Sequence, residues 1–298
     1  MKIVQSLWSK PGRAKQVSRI TDINSCGWPD KKYNYLSWVL SCLQLRQFYD
    51  EVELVTDQEG YELLINKLQL PYTHVKVELD KLNDYHPDLW ALGKIYAYSI
   101  QEKPFIHTDS DVFIWRRFDA NLEQAGLLCQ SREEGKAYAE MYSKLFFPII
   151  QQFEYYPEVL DRSIVKNNEI KAINAGILGG YDIGFYSNYT RQVFEFVDRN
   201  SHRLDKIFIS SFNLIFEQFL FRALADEGEL AIHYFHPDET MRALYFDYTG
   251  VPSQTRYIHL SGLLKKDKYL VDCLEYRVMT DYPDYYYRLM RLIRANEI

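Results

Sequence analysis

Residues 103–115 read KPFIHTDSDVFIW. An apolar run enters through Phe105 and Ile106, another leaves through Val112 to Trp115, and Asp109 and Asp111 stand between them with only Ser110 separating the two. A carboxylate without a partner is costly inside a sheet, so the strand is expected to end where Asp109 begins, with both charges facing something positive. Alternation in an extended chain puts residues i and i+2 on one side. Asp109 and Asp111 can then address one site, with Ser110 keeping the backbone between them slim. Carboxylate oxygens in this arrangement suit a hard divalent cation, Mg²⁺ or Mn²⁺, that keeps open positions for phosphate oxygens. A solvated turn carries the same three letters, so the surrounding sequence has to decide.

Upstream, the chain alternates between two periods. Residues 1–8 read as a buried strand, and 33–49 place Leu36, Val39, Leu40 and Leu43 at helical spacing. Residues 52–56 form a second apolar run ending at Asp57, 59–68 a second helix stopped by Pro71, and 74–79 an alternating strand. A helix over 88–101 then leads into the strand at Phe105. This β-α-β-α-β-α-β order predicts an α/β fold with a mostly parallel sheet and helices on both faces. Such sheets bind ligands beyond the carboxyl ends of their strands. Trp8, Asp57 and the Asp109–Asp111 segment all fall at such ends.

The remainder is less regular. Strands are expected over 126–130, 170–180, 230–234 and 257–260, and helices over 188–199, 211–225 and 283–294, with an aromatic, partly helical stretch at 138–156. The 298 residues include 47% hydrophobic side chains, enough for a sizeable core, and a formal net charge of -6 disfavours a nucleic-acid partner. The aromatic excess of 25 Tyr, 17 Phe and 5 Trp is expected to serve mostly as core. Cys26, Cys42, Cys129 and Cys273 lie far apart with no CxxC pair, which points away from a zinc ribbon and towards a reducing cytoplasm. No signal peptide or bilayer-spanning run is evident in the sequence. His233, His236 and Asp238 lack a metal-site spacing and are set aside.

Three further motifs follow the Asp pair. Residues 173–176 read INAG, residues 217–218 are Glu-Gln, and residues 259–266 read HLSGLLKK, which has the form H-x-x-G-x-x-K. A neutral imidazole can join two carboxylates on a metal, and a lysine can bind a diphosphate as a point charge. Together with Asp-Ser-Asp, the set resembles the retaining family 8 glycosyltransferases of the GT-A fold and their family 32 relatives. In that pattern a D-x-D closes a strand and is followed by F-N-[ST]-G, an acid-Gln pair and H-x-x-G-x-x-K-P-W. This chain departs from it in three places: Ala175 stands for Ser or Thr, Glu217 for Asp, and Lys266-Asp267 for Pro-Trp.

The resemblance implies a GT-A, Rossmann-like single domain with helical additions. A nucleotide-binding half would take 1–115, a sugar and acceptor half 116–265, and a C-terminal helical extension 266–298. It implies that Asp109, Asp111 and His259 hold Mn²⁺ or Mg²⁺ against the diphosphate of a nucleotide-sugar, most readily a UDP-sugar, with Ser110, Lys265 and Lys266 beside it. Lys94 is a further candidate for the diphosphate or the donor sugar. Asn174 and Gln218 would line the sugar and acceptor side, and either Gln218 or Glu217 would stand nearest the anomeric carbon. Trp8 is a candidate to stack on the base and Asp57 to bond its edge or the ribose, with a core residue and a helix N-cap as their ordinary alternatives. The expected reaction is hexose transfer to a hydroxyl of a glycan or glycolipid. A nucleotidyltransferase and a non-catalytic carbohydrate-binding protein are the alternatives. The Tyr- and Arg-rich helix at 283–294 is a candidate for peripheral contact with the inner membrane surface, and packing on the sheet is its alternative.

Overall fold

Every residue of Val52–Thr56 is buried, as a parallel strand covered on both faces by helices requires. The structure is a computed structural model and describes residues 1–13, 26–236 and 248–298; Asp238 therefore lies outside the described residues. The chain divides into two compact units that interleave along the sequence: 1–87, 108–118 and 240–298 make the first, and 88–107 with 119–239 the second.

In the first unit, β1 (Lys2–Leu7), β2 (Val52–Thr56) and β3 (His74–Val77) pair in parallel in the order β3-β2-β1, with Ile3 opposite Val52 and Glu53 opposite His74. The helix Lys31–Phe48 crosses between β1 and β2, and Asp30 starts it by accepting from the backbone N–H of Lys32. Its residues 36–45 are all buried, so the expected stripe of Leu36, Val39, Leu40 and Leu43 lies within a stretch of helix enclosed on every side. Two three-residue strands, β5 (Val112–Ile114) and β9 (Tyr257–His259), form a separate antiparallel pair in this unit. The helices Lys268–Asp281 and Pro283–Arg294 contribute Leu270, Leu274, Val278, Leu289 and Leu292 to the same core as Val39 and Ile258. The apolar side of the C-terminal helix is thus spent on packing, and Arg288 donates to the Leu68 carbonyl at 3.2 Å. Membrane contact through this helix finds no support, and no described helix is long and apolar enough to cross a bilayer.

The second unit carries β4 (Phe105–Thr108, all but its last residue), β6 (Leu127–Glu133), β7 (Ala172–Gly180) and β8 (Ile232–His236) in the order β4-β7-β6-β8. β6 runs antiparallel to β7 and parallel to β8. Helices Leu92–Ser99, Lys136–Ile150, Val159–Asn167 and Ile183–Asp198, and a helical run over 209–227, complete the unit. Edge-to-face contacts among Phe153, Phe196, Phe212 and Phe216, with centroids 4.8–6.0 Å apart, show aromatic side chains serving as core. The fold is α/β, and the seven strands of its mostly parallel main sheet, flanked by helices, are shared between the units.

Several boundaries differ from the sequence expectation. The helix expected over 88–101 is confined to Leu92–Ser99, and that expected over 188–199 begins at Ile183, where Asp182 caps it by accepting from Phe185 N at 2.9 Å. β6 runs on to Glu133 through a polar Ser-Arg-Glu end. Gly179 of β7 has a packing reason. A Cβ on Gly179 would stand 2.2 Å from the Phe105 carbonyl oxygen and 2.6 Å from the Ile106 Cα. Gly179 is therefore the place where β4 and β7 lie too close for a side chain. Gly179→Ala is expected to destabilise the protein by roughly 3 kcal/mol, the upper range for overpacking, read as a lowered midpoint in urea denaturation.

Candidate functional site

β4 ends at Thr108, one residue before Asp109. The chain then turns rather than continuing as a strand, and Val112 N donates to the Asp109 carbonyl at 3.2 Å. This corrects the expectation that strand alternation brings the two carboxylates to one side; a tight turn does so. β5 follows immediately, and its register sets Val112 opposite His259. Leu260 N bonds the Asp111 carbonyl at 3.0 Å, which extends the pairing to the acid itself. Ligand atoms of Asp109, Asp111 and His259 consequently lie within 4.8 Å of one another.

The triad fits a hard divalent cation. Asp111 and His259 are buried, and His259 Nε2 stands 3.4 Å from Asp111 Oδ1, an oxygen with no hydrogen-bond partner among the described residues. Two neighbouring ligands on an octahedral ion with bonds of ~2.1 Å are ~3 Å apart, so little movement would be needed. The two carboxylates suit Mn²⁺ or Mg²⁺, and the softer imidazole leans the set towards Mn²⁺ of the two. Lys265 Nζ lies 2.8 Å from Asp111 Oδ2. Burial would raise the Asp111 carboxyl, but the Lys265 ammonium and His259 outweigh it and hold it well below the usual carboxylate range. Burial works to lower the Lys265 ammonium, and Asp111 reverses this and raises it. Lys265 also lies 5.5 Å over the Trp28 ring. Its loop turns at Gly262, whose φ of +55° an L side chain rarely adopts.

The other candidates of this unit are placed as follows. Ser110 is half-buried in the turn, and Lys266 is exposed. Trp8 is buried, its indole nitrogen without a hydrogen-bond partner among the described residues. Asp57 takes its ordinary role: Oδ1 accepts from Gly60 N at 2.8 Å as a helix cap, and Oδ2 accepts from Ser9 N and Oγ, both at 2.7 Å.

The second unit gathers Lys94, Asn174, Glu217 and Gln218. Glu217 and Gln218 lie in a π-helical turn, Ile215–Phe219, where Leu220 N reaches back to the Ile215 carbonyl. Such turns often display functional side chains. Lys94 Nζ is 2.5 Å from Glu217 Oε1, a pair in which the Glu217 side chain is fully buried. Lys94 also donates to the Ala175 carbonyl at 3.4 Å, next to Asn174. Two residues missed by sequence reasoning complete the group. Asn174 donates to Glu133 Oε1 at 3.1 Å, and the Tyr142 hydroxyl lies 2.5 Å from both Glu133 Oε2 and Gln218. With its amide nitrogen turned to Glu133, Gln218 donates to Oε2 at 3.2 Å and to the Ile173 carbonyl at 3.3 Å. No pattern in the sequence marks Glu133, since the strand expected there ends at residue 130. His107 is buried with its ring edge-on to Tyr98 at 5.1 Å, and burial, then the charge of Lys94, depress its basicity.

The model of the DUF6734 family, described as a family of unknown function, matches residues 1–292. The chain belongs to that family. No curated protein sequence matches it. Among solved structures, mouse xyloside xylosyltransferase 1 in its apo form is similar at 12% identity, over 87% of this chain and 96% of that chain, with a TM-score of 0.41.

Lys94→Met is expected to cost about 3–5 kcal/mol of folding stability, because it leaves the buried Glu217 carboxylate without its ammonium. The double change Lys94→Met with Glu217→Leu is expected to recover most of that loss. Urea denaturation of the two proteins checks both statements.

Proposed function

We propose that this chain is a metal-dependent glycosyltransferase that transfers a hexose from a nucleotide-sugar, most readily a UDP-sugar, to a hydroxyl of a glycan or glycolipid. One observation carries the reading. Asp109 and Asp111, neighbours in the chain, and His259, distant in sequence, present their ligand atoms within 4.8 Å of one another with Lys265 already on Asp111. The order of motifs supports the GT-A class with retention at the anomeric carbon. A reducing, cytoplasmic setting belongs to the same proposal, and all four cysteines are free.

In this proposal Asp109, Asp111 and His259 hold Mn²⁺ or Mg²⁺. The cation would neutralise charge developing on the departing diphosphate. Lys265 adds a positive charge to the same group once it leaves Asp111. In the second unit, Asn174 and Gln218 present amides to the sugar and acceptor, held in orientation by Glu133 and Tyr142. Glu217 is neutralised by Lys94. That pairing favours Gln218 over Glu217 as the group beside the anomeric carbon, with attack from the face the diphosphate leaves.

A second reading draws on the same ion pairs. Asp111 with Lys265 and Glu217 with Lys94 satisfy each other's charge, as they would in a non-catalytic protein that binds carbohydrate. Incubation with Mn²⁺ and a panel of nucleotide-sugars separates the two: slow release of the nucleoside diphosphate is expected from one donor, and a folded sample that neither binds nor hydrolyses any of them removes the enzyme reading. Asp111→Asn is expected to abolish donor binding in the presence of Mn²⁺, measured by calorimetry. Lys265→Met is expected to bind Mn²⁺ alone at least about tenfold more tightly, since it removes a unit charge a few ångströms from the cation, and to bind the nucleoside diphosphate more weakly.

A further inference from the structure

Two polar residues occupy places in the first unit that packing alone would give to apolar ones. Gln5 lies in the middle of β1 between Val4 and Ser6, and Ser41 lies on the buried side of the helix Lys31–Phe48; both are fully buried. Burying an amide and a hydroxyl is unfavourable unless their hydrogen bonds are made. Here they are made, in one directed chain. The Tyr72 hydroxyl donates to Gln5 Oε1 at 2.8 Å. Gln5 Nε2 donates to Ser41 Oγ at 2.9 Å and, more weakly, to the Asp109 carbonyl at 3.4 Å. Ser41 Oγ donates in turn to the Val112 carbonyl at 2.7 Å.

The chain ends on the two carbonyls that bracket the acidic turn. With the bond from Leu260 N to the Asp111 carbonyl, three of the four carbonyls from Asp109 to Val112 are held by groups outside the turn. Asp109 and Asp111 carry like charges within 4.8 Å of each other, and their repulsion tends to open the turn. Holding the carbonyls resists that opening without using either carboxylate.

We propose that Gln5 and Ser41 are positioning residues for the candidate metal centre, fixing the backbone of the 109–112 turn so that the carboxylates of Asp109 and Asp111 stand together before a cation arrives. The inference rests on the metal reading above. Neither residue touches the cation, and Tyr72 completes the amide of Gln5. The effect belongs to the class in which groups behind the ligands tune affinity by orienting them.

The test uses the full chain and Mn²⁺ alone, with free Mn²⁺ followed by electron paramagnetic resonance and thermal unfolding measured on the same samples. Gln5→Met and Ser41→Ala are expected to weaken Mn²⁺ binding about tenfold, the lower end of what loss of an orienting group costs. Ser41→Thr, which keeps the hydroxyl, is expected to bind as the native chain does. Val39→Ala, in the same helix and without a polar contact, is expected to lose stability and keep its Mn²⁺ affinity. The proposal is overturned if both Gln5→Met and Ser41→Ala bind as tightly as the native chain, or if Val39→Ala loses as much affinity as they do. Should Gln5→Met not fold, Ser41→Ala decides, since it removes a single oxygen atom. A native chain that binds no Mn²⁺ overturns the metal reading together with this one; a native chain that binds, with both variants unaffected, overturns this one only.

Discussion

The candidate metal centre depends on the pairing of two strands that are each three residues long. β5 and β9 have little to recommend them separately, since each is only three residues long. Their antiparallel register sets Val112 opposite His259, and it is this that turns two acids from one part of the chain and an imidazole from a distant part into one donor set. Closing so long a loop costs conformational entropy. Burial on both sides of the pair offsets it, since Phe113 and Ile258 are completely buried in the same core as Val39 and Leu274. The apolar residues next to the charged ones are therefore what hold the charged ones in register.

The regular part of the fold could be read from periodicity. β2 is found with the expected ends, the C-terminal helix likewise, and the helix Lys31–Phe48 within two residues, because each carries a local pattern that tertiary packing reinforces. What escaped was set by contacts distant in sequence. A polar tail such as Ser131-Arg132-Glu133 does not look like strand, and it extends as one only because β7 offers it a partner, with Glu133 opposite Ala172. The π-helical turn at Ile215–Phe219 has no residue signature at all. Helix Val159–Asn167 is short, and it ends at Asn168 in the left-handed conformation that Asn tolerates, a stop signal weak enough to pass unnoticed.

The site residues divide in the same way. Asp109 and Asp111 stand out as charges beside apolar strands, whereas His259 and Lys265 are candidates through the order of motifs and the resemblance it carries; the structure brings ligand atoms of the two acids and His259 within 4.8 Å of one another, with Lys265 on Asp111. Trp8 and Asp57 are legible only as strand ends, and Asp57 spends both oxygens on a helix start and on Ser9. Glu133 and Tyr142 were invisible because neither stands in a recognisable motif. They matter through the hydrogen bonds they make to Asn174 and Gln218, and such bonds are a property of the fold.

Both units share a charge arrangement that bears on ligand chemistry. In the first, buried Asp111 is matched by Lys265; in the second, buried Glu217 is matched by Lys94. A buried carboxylate is tolerable only while its partner stays, so a ligand that displaces the lysine must leave the acid satisfied. A neutral sugar cannot do this. Under the function proposed above, a dianionic diphosphate arriving with a divalent cation would do so at Asp111 and Lys265, the cation taking over the carboxylate and the phosphate oxygens the ammonium. That exchange conserves charge at the Asp111–Lys265 pair, and under the same proposal it favours a ligand that brings an anion and a metal together over one that brings either alone.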